Sequence, residues 1–100
     1  MLVLQTLLRH GRMHGFEIAN AIQARSEDVL RVEEGSLYPA VQRLLVQGWI
    51  DGEWAKTEEN RRARYYQITV PGRKQLEREL SRYRRVSGAI ERILQPLGAG

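Results

Sequence analysis

The chain has 100 residues, of which 42% are hydrophobic and 28% are charged. This balance predicts one globular domain with a single core. Cysteine is absent, which excludes disulfides, thiolate zinc sites and cysteine nucleophiles. No apolar run reaches the roughly 18–20 residues that cross a bilayer, and the amino end lacks a signal-peptide layout, so we expect a cytoplasmic protein that does not engage membranes. The net charge of +4 indicates a polyanionic partner.

Apolar residues spaced three and four apart predict two helices in the first 25 residues. The first helix covers residues 2–8 and ends before Gly11. The second helix opens at His14, and the pattern places Phe16 and Ile18 on its buried side.

A third helix with a polar face is predicted between Ser36 and Gly48. Ser36 is expected to be its N-cap, and Pro39 is expected in the first turn, where a missing N–H costs nothing. Gly48 suits a left-handed C-cap. The side opposite the apolar stripe carries Ser36, Tyr38, Gln42 and Arg43.

Period-two alternation predicts two strands, over residues 49–54 and 64–69, that form an antiparallel hairpin with a long polar loop. The fold class is therefore mainly α with a small β-hairpin. We expect a winged helix-turn-helix domain over residues 1–70 and a C-terminal dimerisation helix over residues 71–100. Four cations accompany the loop, namely Lys56, Arg61, Arg62 and Arg64.

The last helix, which Pro71 helps to start, carries a heptad-spaced apolar stripe. A domain this small cannot bury the whole stripe, so we expect a homodimer; the alternative is that the stripe covers the first helix of the same chain. The predicted dimerisation residues are Leu4, Leu8, Leu76, Leu80, Tyr83, Ile90 and Leu94.

The third helix and the hairpin suit double-stranded DNA through different chemistry. A helix fits the major groove, where Arg43 can donate to guanine and Gln42 can pair with adenine. Ser36 and the first helical N–H groups suit a phosphate, and the Tyr38 ring suits a sugar or a thymine methyl group. Alternatively, Tyr38 only packs beside Pro39, and Arg43 pairs with a nearby acid.

The hairpin cations suit the phosphates or the minor groove. The competing interpretation is that Glu58 and Glu59 neutralise them locally, although exposed ion pairs contribute well under ~1 kcal/mol.

Catalytic and metal chemistry find little support in the sequence. His10 and His14 are four residues apart, but no cysteine or carboxylate cluster completes a metal shell. Adjacent acids such as Glu33 and Glu34 diverge, and no nucleophile arrangement or glycine-rich phosphate loop is present. We expect no enzyme activity, no metal site and no cofactor.

Four segments of the chain resemble the PadR family of bacterial transcriptional regulators. They are residues 14–18 (HGFEI), 35–39 (GSLYP) with Arg43 and Leu44, 48–50 (GWI), and 64–69 (RYYQIT) with Gly72. The chain departs from the family pattern at Phe16, where tyrosine is common, and at Asn60, where many relatives turn on glycine. Asn60 can adopt the positive φ that such a turn needs.

The resemblance implies a homodimeric winged-helix repressor of the short-tailed branch, whose last helix makes most of the dimer contact with the first. It also implies ligand-responsive control through a small-molecule effector near the dimer interface. The effector pocket is then expected at Leu7, Tyr83, Val86 and Ile90, and the alternative is that these residues belong to a filled interface core. Carried over by position, its recognition residues are Ser36, Tyr38, Pro39, Gln42 and Arg43, and its wing runs from Lys56 to Arg64. Two copies would read an inverted-repeat operator. The alternative function, which is of a different kind, is that of a winged-helix scaffold that binds proteins and does not bind a specific DNA sequence.

Overall fold

The computed structural model describes residues 1–97. The described chain has four helices and a small three-stranded antiparallel sheet that includes the predicted hairpin, which confirms the predicted mainly α class. In chain order the elements are α1 (Leu2–His10), β1 (Met13–His14), α2 (Gly15–Arg25), α3 (Glu34–Val46), β2 (Ile50–Lys56), β3 (Arg62–Ile68) and α4 (Val70–Leu94). Within the described residues, no helix is both long and apolar enough for a membrane span.

Helix α2 begins with a reciprocal cap. The His14 side chain accepts a hydrogen bond from the Glu17 backbone N–H, and the Glu17 carboxylate accepts one from the His14 N–H, so two free donors of the first turn are satisfied. The prediction for Phe16 is wrong, because 58% of this residue is exposed. Phe16 precedes buried Ile18 by two residues, which places it about 200° away around the helix.

Helix α3 begins three residues earlier than predicted. Its N-cap is Glu33, without a side-chain cap bond, and the backbone N–H groups of Ser36 and Leu37 both donate to the Glu33 carbonyl oxygen. Ser36 is therefore the third helical residue and not the N-cap. Pro39 is the sixth and lies beyond the first turn, so the Gly35 carbonyl loses its usual i+4 donor. Gly48 follows the helix with φ 75°, which confirms the left-handed end.

The sheet has the order β1-β3-β2. Strand β1, which was not predicted, is too short for alternation to reveal, and Met13 pairs with Tyr66 of β3. The hairpin strands extend further than predicted, because Lys56 pairs with Arg62. The connecting loop is therefore only residues 57–61, and Asn60 in it has φ 61°, as expected.

Helix α4 packs against the domain at its start, and the apolar side chains of its later turns are exposed. The Thr69 hydroxyl accepts a hydrogen bond from the Gly72 N–H at 3.1 Å, and Leu76 packs in the core. Beyond Leu80 the helix leaves the domain, and its apolar residues are exposed. The core itself consists of Val3, Leu4, Leu7, Ile18, Ala19, Ile22, Leu37, Val41, Ile50, Tyr66 and Leu76.

Two residues predicted for the dimer contact lie inside this core. Leu4 is 0% exposed and Leu76 is 2% exposed, because α1 packs on the first turns of α4 within one chain. Because they are buried in their own chain, they cannot contact a second copy. The predicted interface therefore loses these two residues. For this part of the stripe the alternative, that it covers the first helix of its own chain, is correct.

Candidate nucleic-acid interface

One polar line runs along the outer side of α3. Ser36, Pro39 and Arg43 are three and four residues apart, so they share a face, and all three are exposed. Leu37 and Val41, on the opposite side, are buried against the core. The apolar stripe thus fixes the rotation of α3 and turns the Arg43 side of the helix to the outside.

A second line on α3 faces the sheet side. Tyr38 and Gln42 are four residues apart, and Tyr38 is 63% exposed. Tyr38 borders an apolar cleft of about 400 Å³ that also contacts Leu37, Val41 and Tyr66. The predicted recognition residues therefore divide into two lines instead of forming one face.

Tyr66 lies at the floor of this cleft and is 6% exposed. Burial raises the pKa of its phenol, whereas the nearby Arg64 lowers it and Tyr38 raises it slightly further. Because the net effect is upward, the hydroxyl stays protonated near neutral pH and remains a hydrogen-bond donor.

The wing, defined here as β2, β3 and loop 57–61, gathers three exposed cations at its tip. Lys56 and Arg62 face each other as the last cross-strand pair, and Arg61 lies in the adjoining loop. The Arg62 guanidinium lies 5.1 Å from the centre of the Trp54 ring, which gives it an exposed aromatic support. None of the ion pairs between the side chains that the structure describes involves these three cations, so Glu58 and Glu59 form no ion pair with them.

Arg64 differs from the other wing cations because it is half-buried. Its side chain lies across Gly52 on the neighbouring strand, where any Cβ would come within 2.6 Å of the Arg64 Nε. The guanidinium lies 6.0 Å from the Tyr66 ring centre, and its Nε has no hydrogen-bond partner in the described structure. Glycine at position 52 is what lets this arginine fold down onto the sheet.

A groove of about 830 Å³ separates the wing from the start of α2. Sequence reasoning missed two of its lining residues. Phe16 was expected in the core, and its ring stacks on the His14 ring at 6.5 Å between centroids. Tyr65, which contacts the His14 ring edge-on at 5.4 Å, could not be placed because β1 was not predicted. Arg61, Arg62 and Arg64 line the other side of the groove.

The predicted dimer and effector residues fall in two different environments. Leu8 is 42% exposed, and Tyr83, Ile90 and Leu94 are 56%, 49% and 68% exposed, so all four are uncovered in a single chain, whereas Leu80 is half-buried. Leu7 is in the core, whereas Tyr83, Val86 and Ile90 are exposed on α4. The four predicted effector residues therefore do not enclose a pocket within one chain.

Side chains that could hold a metal ion do not cluster anywhere in residues 1–97. His10 lies at the end of α1 and is exposed, whereas His14 caps α2. The two histidines thus belong to separate local structures.

The fold of this chain matches the folds of solved transcriptional regulators over nearly the whole length of the chain. A regulator from Clostridium thermocellum has a TM-score of 0.82 at 24% identity, with 94% of this chain and 91% of that chain covered. A PadR-like regulator from Bacillus cereus has a TM-score of 0.78 at 26% identity, covering 94% and 88%. Bacillus subtilis PadR, solved in complex with operator DNA, has a TM-score of 0.67 at 20% identity, covering 79% of this chain and 45% of that one.

The sequence itself matches the same group. Residues 3–78 fit the transcriptional regulator PadR-like family, a span that includes α3, the wing and the first turns of α4. The matching family and these similar solved proteins are transcriptional regulators, which agrees with the expectation that the chain is not an enzyme. The chain therefore belongs to the PadR-like family of transcriptional regulators.

Proposed function

We propose that this protein is a homodimeric repressor that binds a specific sequence in double-stranded DNA. The observation that carries the proposal is that α3 exposes its Arg43 line while the wing tip of the same chain exposes Lys56, Arg61 and Arg62. A helix inserted in the major groove reads base edges, and arginine is the side chain that pairs best with guanine. The solved complex of Bacillus subtilis PadR with operator DNA supports DNA as the partner.

The individual contacts follow from the two lines on α3. Arg43 donates to a guanine edge, and Ser36 and Pro39 approach the same groove wall. Gln42 pairs with an adenine, while the Tyr38 ring lies against sugar or a thymine methyl group. Lys56, Arg61 and Arg62 at the wing tip bind phosphates, and Arg64 supports them from the groove side.

Dimerisation follows from the uncovered apolar part of α4. Tyr83, Ile90 and Leu94 are each about half-exposed or more, and a second copy is the most economical cover for a helical stripe of this kind. Leu8 and Leu80 border the same surface. Two α3 helices roughly 34 Å apart would then read the two halves of an inverted repeat in successive major grooves.

Ligand response is proposed only at the dimer level. Tyr83, Val86 and Ile90 lie open on a single chain, so a pocket there needs residues from both copies. We place the protein in the cytoplasm, where a bacterial regulator meets the chromosome.

The salt dependence of binding tests the proposal. If a dimer contacts about six to ten phosphates, affinity should fall by about three to five decades between 50 mM and 200 mM salt. The measurement is a gel-shift series on a duplex enriched by the purified protein from a random pool. Affinity that does not change over this range, or a pool in which no sequence is enriched, would contradict the proposed function.

A further inference from the structure

The outer side of α4 carries a basic stripe that the proposed function does not use. At about 100° per residue, five cations fall within one arc of the helix, opposite the apolar stripe. They are Lys74, Arg78, Arg82, Arg85 and Arg92, and all five are exposed.

Acidic side chains are absent from this arc. The three acids of α4 are Glu77, Glu79 and Glu91, and the helical period turns each of them away from the arc. Within the described residues the five cations form no ion pair. The remaining positions along the arc are small, with Ser81 and Ala89 between the arginines, so a partner surface can approach the helix closely.

The spacing of these cations works against helix stability. Lys74 and Arg78, and then Arg78 and Arg82, are four residues apart, a separation at which like charges repel. A helix that needed charge only for solubility would alternate acids with bases along this face. The repulsion is relieved when a polyanion covers the stripe.

The dimensions of the stripe suit a nucleic-acid backbone. Lys74 and Arg92 are about 27 Å apart along the helix axis, a length over which a DNA duplex presents many phosphates. Four of the five cations are arginines, whose planar guanidinium matches phosphate oxygens. We infer that the basic stripe of α4 binds the phosphate backbone of a second DNA duplex, so that one dimer bridges two duplexes.

The position of the basic stripe favours a second duplex over the flanking part of the duplex that α3 and the wing hold. Helix α4 starts after Ile68, at the end of β3 that lies about 23 Å from the wing loop 57–61. The stripe also points away from the apolar surface that the second copy is proposed to cover. The inference rests on the proposed function, because bridging requires that α3 and the wing already hold one duplex.

Bridging can be measured with the full-length chain at about 50 mM salt. The enriched duplex is fixed to beads, the protein is bound to it, and a fluorescent duplex of unrelated sequence is added. The test variant is Arg78→Gln with Arg85→Gln. Its matched control, Arg73→Gln with Arg84→Gln, removes the same charge from the same helix outside the stripe.

We expect the parent and the control to retain the fluorescent duplex. The test variant should retain it roughly tenfold to one-hundredfold less, because two phosphate contacts are lost, while its affinity for the fixed duplex stays within about twofold. Equal retention by both variants, or no capture of the second duplex while the fixed one is held, overturns the inference alone; the latter is the result expected if the stripe serves an acidic protein. Failure to hold the fixed duplex counts against the proposed function and removes bridging with it.

Discussion

Replacement of Arg43 with alanine is expected to weaken binding to the enriched duplex by about tenfold to one-hundredfold. A bidentate arginine–guanine pair is worth about 1–3 kcal/mol of discrimination, and each 1.4 kcal/mol is about one decade in the dissociation constant. Arg43 is exposed on the outer line of α3, so its removal costs little packing. The measurement is a gel shift with the enriched duplex and with a duplex altered at single positions, where the variant should lose discrimination at one base pair.

Two further variants test whether the loss of sequence discrimination is specific to Arg43. Arg61→Ala at the wing tip should weaken binding to all sequences similarly and reduce the salt slope of the proposed dimer by about two, one for each copy. Arg84→Ala removes an equal charge from an exposed position of α4 outside the basic stripe and should bind like the parent. If Arg43→Ala and Arg61→Ala both bind as the parent does, the chain is better described as a scaffold that binds another protein through α4.

Replacement of Gly72 with alanine is expected to cost about 3 kcal/mol of folding free energy, the range of a core clash. A Cβ at this position would overlap the backbone carbonyl oxygen of Trp49 and lie 2.9 Å from the Ile68 side chain. The Trp49 backbone cannot move away freely, because its carbonyl oxygen also accepts a hydrogen bond from the Thr69 N–H at 3.0 Å. At about 4–8 °C per kcal/mol for a domain of this size, the melting temperature should fall by at least about 12 °C.

Gly88→Ala is the matched control in the same helix. A Cβ there meets only the Arg92 side chain at 3.7 Å, an ordinary contact, and alanine is the better helix former by up to about 1 kcal/mol. Melting is followed by circular dichroism at one protein concentration, because the proposed dimerisation would add stability. It should place the two variants on opposite sides of the parent. A Gly72→Ala protein that melts with the parent would mean that α4 does not pack against Trp49 as described.

The sequence predicted those elements whose signals are local. Thr69 before Pro71, Gly48 after an apolar stripe and Asn60 at a positive φ each follow from the chemistry of one residue. The rotation of α3 also followed from its apolar spacing, which is why the exposure of Arg43 was predicted from the sequence.

The missed features depend on contacts between distant segments. Strand β1 is only two residues long and exists because Met13 and His14 pair with β3, which no local pattern reveals. Arg64 folds over Gly52 because cross-strand register brings them together. Leu4 joins the core for the same kind of reason, since only the packing of α1 on α4 decides which leucines stay uncovered.

The start of α3 was predicted too late in the chain because its local capping signals point to Ser36. Ser36 and Pro39 both favour a start at Ser36, yet the helix forms from Glu34 without any side-chain cap. Core packing of Leu37 fixes the first turn, and local propensity yields to it.

The proposed function requires above all that two copies join through α4 and present two α3 helices to one duplex. Analytical ultracentrifugation at micromolar concentration measures this directly, without and with the enriched duplex. We predict a protein mass of twice the 11.6 kDa of one chain in the absence of DNA, and two chains per duplex in its presence. A mass of 11.6 kDa that the duplex does not change would contradict it.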